Sequence, residues 1–200
     1  MSDLVDPRTK SASFLIEGIF VLTLFSRASM IPSIMETPII MILDPEQLRV
    51  AMRAWTTGVT IVTASHNGER HGMTVSSFTS ISLNPALISI SLQAPSRTYE
   101  LVTQSGAFGL TILSEDQQEL SELFAGRSTD LADRFTGLET DTLITGSPLI
   151  KGGLAWLDCR VVHEYDGGMN ALFIGEVVAA RGTGEGTPLV YHNRKYRQLK

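Results

Sequence analysis

From Val59 onward, apolar positions recur in short β-branched runs separated by turn residues. "VTIVTA" (Val59 to Ala64) reads as a strand, and Asn67-Gly68 in "SHNGER" is a hairpin signal. The return segment, "HGMTVSSFTSISLNP" (His71 to Pro85), alternates. Met73, Val75, Ile81 and Leu83 share one parity; Thr74, Ser76, Ser80 and Ser82 share the other, with Phe78 among them. Alternate residues of a strand face opposite ways, so one face is apolar and the other is a ladder of hydroxyls. The run is long for one strand, which predicts a bend near Ser77–Phe78. Further strands follow in "LISISL" (Leu87 to Leu92), "AFGLTIL", "LAWLDCRVVHEYDGG" and "ALFIGEVVAA", the last two joined by a turn at Asp166 to Asn170.

Helical spacing is confined to three places. In "DPEQLRVAMRAWTTG", Asp44 suits an N-cap and Pro45 the first helical position. Leu48, Met52 and Trp55 then share one face, and Gly58 ends the pattern. A second helix runs from the N-cap Ser96 to Gly106. A third opens on the capping-box pair Ser114 and Gln117 and ends at Gly126. "RSTDLADRFTGLETDT" reads as loop. Six or more strands with hairpin signals and few helices predict a mainly β fold, an antiparallel barrel with small attached helices.

The domain is expected over residues 44–200, with residues 1–43 as an N-terminal extension that packs poorly or reflects an upstream mis-start. The apolar run Phe14 to Phe25 follows Arg8 and Lys10, as in a targeting segment, but Glu17 interrupts it and it is too short to span a membrane. A targeting segment and a domain-capping helix are the alternatives.

Composition narrows the function. Hydrophobic residues make up 43% and charged residues 18%, which is globular. The net charge is −5 with no basic block, which argues against nucleic acid as a partner. A phosphate-bearing small molecule needs only one local cationic pocket and stays open. Cys159 is the sole cysteine, expected as a buried core residue in a cytoplasmic protein. The four histidines show no metal-ligand spacing, so no metal site is expected. There is no glycine-rich phosphate loop, no Gly-x-Ser-x-Gly elbow and no paired carboxylates at a strand end. Glu115, Asp116 and Glu119 read as a solvated helix face.

What remains is binding chemistry. Hydroxyls on a strand face donate to carbonyls, ring nitrogens or phosphate oxygens without adding charge. A cation is disfavoured in the first turn of a helix, so Arg97 makes sense where an anion docks, with Ser96 and Thr98 as further donors and Arg127 as a second charge. The residues alone leave equally open a plain solvent-facing strand and an ordinary helix start.

The blocks "WTTGVTIVTA", "GMTVSSFTSISLNPALISISL", "SRT", "FAGR…DRF", "LFIGEV" and "PLVYHNRKY" resemble, in order, spacing and wording, the flavin reductase-like family with the FMN-binding split-barrel fold. The resemblance spans Asp44 to Leu199. It implies a homodimer of six-stranded antiparallel Greek-key barrels that binds FMN or FAD without a covalent bond. It further implies NADH or NADPH as reductant, direct hydride transfer to flavin N5, and release of reduced flavin to a separate monooxygenase. Such a reaction needs no protein nucleophile or acid–base pair.

By the same resemblance the flavin ring lies along Thr57, Val59, Thr60 and Ile61. Thr74, Val75, Ser76 and Ser77 bond the ring edge and ribityl chain; Gln93, Ser96, Arg97 and Thr98 face the phosphate. Trp55 and Phe78 are expected as core rather than stacking partners, and His163 and His192 without a direct role. One departure stands out. Many members carry Gly-Asp-His before "LFIGEV", where the His helps place the nicotinamide; here the place reads Gly168-Met169-Asn170. Asn170 can hydrogen-bond but cannot take a charge near neutral pH. The alternatives are therefore a flavoprotein with tightly held flavin serving as electron carrier, or a flavin-binding protein without turnover.

Overall fold

The computed structural model describes residues 43–126 and 133–199. The expected extension before Leu43 and the candidate Arg127 lie outside them. In chain order the elements are α1 (Pro45–Met52), β1 (Thr57–Gly58), β2 (Thr60–His66), β3 (Glu69–Val75), β4 (Thr79–Leu83), β5 (Ala86–Gln93), α2 (Arg97–Ser105), β6 (Ala107–Ile112), α3 (Gln118–Phe124), β7 (Thr140–Asp141), β8 (Leu149–Ile150), β9 (Ala155–Asp166), β10 (Asn170–Gly182), β11 (Val190–His192) and β12 (Lys195–Arg197).

The main sheet has seven strands in the order β3-β2-β6-β9-β10-β5-β4, with every pairing antiparallel. Its two edges, β3 and β4, are consecutive in the chain. The predicted bend lies between them, at Ser76 to Phe78, and carries the chain from one edge of the sheet to the other. The sheet therefore curls into a barrel closed by three residues of chain instead of a ladder. A three-stranded sheet, β1-β11-β12, and the β7–β8 pair flank it. Asn67 and Gly68 both take positive φ, 50° and 84°, which is the primed hairpin turn their sequence signals.

β2 explains the packing. Val62 and Ala64 join the barrel interior with Ile90, Leu92, Phe108, Leu110 and Phe173. Val59 and Ile61 belong to a second cluster with Leu113, Phe124, Phe135 and Ile150. Both faces of the strand are thus covered, which is why its sequence is a continuous apolar run and not an alternation. Its two buried threonines are satisfied: Thr60 donates to the Val75 carbonyl at 2.8 Å, and Thr63 donates to the carbonyl of Pro148.

Three local expectations need correction. The first helix stops at Arg53, not Gly58, because the chain is recruited into β1, where Thr57 pairs with Tyr191. Its apolar face is not core: Leu48, Met52 and Trp55 are all exposed, Trp55 at 68%. In the third helix the capping residue is Gln117. Its side chain does accept from the Ser114 N–H at 3.1 Å, but the Ser114 hydroxyl turns to Asp116 instead of to the helix. Ser96 and Gly106 cap α2 as predicted, the latter at φ 65°. Cys159 is fully buried, and burial pushes its thiol up to about 12.

Gly175, in the "LFIGEV" block, sits where a Cβ would lie 2.6 Å from the Phe108 ring and 3.2 Å from the Cys159 Cβ. Gly175→Ala should lower the unfolding free energy by about 1–3 kcal/mol through overpacking, read as a drop in urea midpoint. Thiol reagents should leave Cys159 untouched in the native protein at pH 8 and modify it in urea. Because the folded thiol titrates above its unfolded counterpart, the stability that Cys159 contributes is intact below the unfolded thiol's ordinary range. It declines as pH rises from there towards about 12.

Candidate functional site

The sheet ladder stops at the pair Thr60↔Val75 and resumes at Thr79. Between them the main chain of Ser76, Ser77 and Phe78 is outside the ladder. Ser77 ties this bend to the barrel. Its hydroxyl donates to the Ser91 carbonyl at 3.0 Å and accepts from the Ser91 N–H at 2.9 Å. Phe78 packs against the barrel core, as its hydrophobicity suggests.

Ser76 is exposed at the mouth of a cleft of about 150 Å³ lined also by Val59, Thr74, Ser121, Tyr191 and Tyr196. Thr74 donates to the Ser121 carbonyl at 2.6 Å, which docks α3 against β3. The Ser121 and Tyr196 hydroxyls are 2.9 Å apart, and the Tyr191 and Tyr196 rings meet edge to face at 5.3 Å. The wall is one of hydroxyls and aromatic faces over an apolar floor, the composition of a site for a planar ring with polar edges. Of the other residues named on these strands, Thr57 is half-buried in β1, the Thr60 hydroxyl is engaged by β3, and Ile61 and Val75 are core.

The residues named around α2 gather elsewhere, near the opposite end of β3. Ser96 accepts from the Tyr99 N–H at 3.3 Å and its hydroxyl lies 4.0 Å from the Met73 sulfur. Thr98 is fully buried, its hydroxyl 2.8 Å from His71 Nδ1, so it is not presented to solvent. Burial, and then the nearby Arg134 charge, hold His71 below the ordinary histidine range, so it is neutral at pH 7. Arg97 faces a polar cleft shared with Glu69, Arg70, His71, Asp133 and Arg134. Arg70 pairs with Asp133 at 2.9 Å, and Arg134 donates to the carbonyls of Gly72 and Phe124, each at 3.1 Å.

Gln93 and Asn170 form a third group. They are cross-strand partners at the exposed ends of β5 and β10. The turn before Asn170 is fixed by Gly167 N–H to the Asn170 carbonyl and by Gly168 N–H to Asp166 Oδ1, both 2.8 Å. The structure thus distributes the named residues over the bend, the α2 cleft and the β5–β10 end. Sequence reading missed Ser121, Tyr191, Tyr196 and Arg134. The signal for the tyrosines was present: they flank the turn of a hairpin, Asn193 and Arg194, inside the recognised block "PLVYHNRKY". Nothing local marked Ser121, which reaches the cleft only through the docking of α3.

Residues 52–200 match the model of the flavin reductase like domain. Among curated proteins, a "probable flavin reductase" of Rhizobium meliloti is 38% identical over 144 residues; these are 72% of this chain, which spans only 45% of that relative's length. The reductase component of 4-nitrophenol 4-monooxygenase/4-nitrocatechol 2-monooxygenase of Rhodococcus opacus is 35% identical, over 77% of this chain and 80% of its own. The NADH-dependent flavin reductase StyB of Pseudomonas fluorescens is also 35% identical, over 77% and 89%. The solved structure of flavin reductase PheA2 in its native state superposes with a TM-score of 0.73 at 40% identity, covering 79% of this chain and 99% of that one. The chain, a barrel closed through a hydroxyl-bearing bend, therefore belongs to the flavin reductase-like family.

Proposed function

We propose that this chain reduces FMN or FAD with NADH or NADPH and supplies the reduced flavin to a separate monooxygenase. The observation that carries the reading is the bend at Ser76 to Phe78, whose main-chain donors and acceptors are outside the ladder beside a cleft of hydroxyls. Backbone polar groups need partners, and a flavin ring edge offers alternating donors and acceptors. These residues fit the group: the bend and Thr74 can take the ring edge, and Arg97 can take the phosphate. When bound, the flavin supplies the electron chemistry, accepting hydride at N5 from nicotinamide C4. The protein's part is to position the two rings and to keep them from water.

Family relatives named as reductase components of monooxygenases support the proposed partner. The homodimer is supported by the surface. Val162, Tyr165, Met169 and Leu172 of the β9–β10 hairpin are exposed, as are Ile81 and Leu83 of edge strand β4, Leu83 at 91%. Such large apolar groups suit burial against a second copy. Among the described residues no helix is long and apolar enough to cross a membrane. The cytoplasmic assignment rests on the single, buried Cys159.

Asn170 favours a second reading, tightly held flavin with another electron donor. Loss of absorbance at 340 nm with NADH or NADPH and added FMN or FAD separates the two. Loss that depends on free flavin supports the reductase; flavin retained by the protein with no loss supports the carrier. Arg97→Ala should weaken FMN binding about tenfold, as expected for one charge-assisted phosphate contact, and leave riboflavin binding unchanged. Asn170→His should change the Michaelis constant for the pyridine nucleotide at constant flavin affinity, measured by steady-state kinetics; an unchanged constant removes this turn from the nicotinamide site.

A further inference from the structure

We infer that Glu69 sets the affinity for phosphorylated flavin by competing with the phosphate for Arg97; the inference rests on the reading that Arg97 is the phosphate contact. Arg97 is held by two carboxylates from two different elements. Its NH1 is 2.7 Å from Glu100, one turn along α2, and its NH2 is bonded to Glu69 at the start of β3. Each terminal nitrogen therefore already has a carboxylate partner. A guanidinium binds phosphate best through two parallel N–H bonds, so a phosphate seeking that geometry on the NH1–NH2 edge competes with these carboxylates.

Glu69 is the one that yields. Glu100 is carried on the same helix as Arg97, three residues along, and is the less exposed of the pair, 43% against 63% for Glu69. Among the described residues, the other cations of the cleft are already engaged: Arg70 is paired with Asp133, and Arg134 donates to two main-chain carbonyls. Once displaced, Glu69 remains beside a phosphate of the same sign. The contact thus acts twice, as a bond to be broken and as a repulsion afterwards, and both lower affinity for the phosphate without touching the ring. A chain that must let its flavin go gains from a built-in competitor at the tail.

The test is a titration of FMN and of riboflavin, which lacks the phosphate, against the full chain and its Glu69→Gln, Arg97→Ala and doubly substituted variants. Glu69→Gln keeps the size of an exposed side chain. It should tighten FMN about threefold to tenfold, with riboflavin unchanged, and the gain should vanish in the Arg97→Ala background and shrink at high salt. If Arg97→Ala weakens FMN but Glu69→Gln leaves it unchanged, the competitor role is overturned and the phosphate reading stands. Equal tightening of FMN and riboflavin, or a gain that survives Arg97→Ala, also overturns it. If Arg97→Ala leaves FMN affinity unchanged, the phosphate reading itself fails.

Discussion

The two hydrogen bonds between the Ser77 hydroxyl and the main chain of Ser91 hold together what the sheet ladder cannot. A barrel normally closes by pairing its edge strands. Here the edges are successive stretches of chain, and the residues joining them cannot pair with either. One serine side chain replaces a rung by acting as donor and acceptor at once. The consequence is a gap in the regular hydrogen bonding at the barrel rim, fixed in place and not frayed. That gap leaves the main chain of Ser76 to Phe78 outside the ladder beside the hydroxyl-lined cleft. The hydroxyl-rich sequence serves both ends: Thr60 and Ser77 close the barrel, while Ser76 and Thr74 line the cleft.

Much of this was legible in the sequence. Alternation through Met73 to Leu83 located the bend, because a strand of that length conflicts with the ordinary limit. Asn67-Gly68 and the Asp166 to Asn170 turn fixed two hairpins, since positive φ at those positions selects their residues. Ser96 and Gly106 bounded a helix for the same local reasons. What was not legible depends on distant contacts. Trp55 has the spacing of a core residue, but spacing does not say whether a neighbour arrives to cover it. Thr98 sits in the first turn of a helix with a donor's chemistry, and only the arrival of His71 from another strand shows it engaged. Ser121 and Arg134 enter their clefts through the docking of α3 and the loop after it, which no local pattern encodes.

The electrostatics are similarly self-contained. Around the α2 cleft Arg70 pairs with Asp133 and Arg97 with Glu69 and Glu100, while Arg134 donates to main-chain carbonyls, so the cationic groups described there are already engaged. Exposed pairs of this kind contribute little to stability, about 0–1 kcal/mol each. In the proposed phosphate site their weight falls on binding instead, since each competes with an incoming anion.

The burial of Cys159 carries a chemical consequence beyond packing. Reduced flavin released into aerated solution reacts with dioxygen and yields hydrogen peroxide. Peroxide oxidises thiolates, and the sulfenic acid that results is the first step towards irreversible damage. The chain has one cysteine, fully enclosed beside Gly175 and Phe108, with a thiol that ionises only near about 12. At neutral pH it presents no thiolate. A flavin reductase-like chain built this way offers no thiolate to peroxide formed around it.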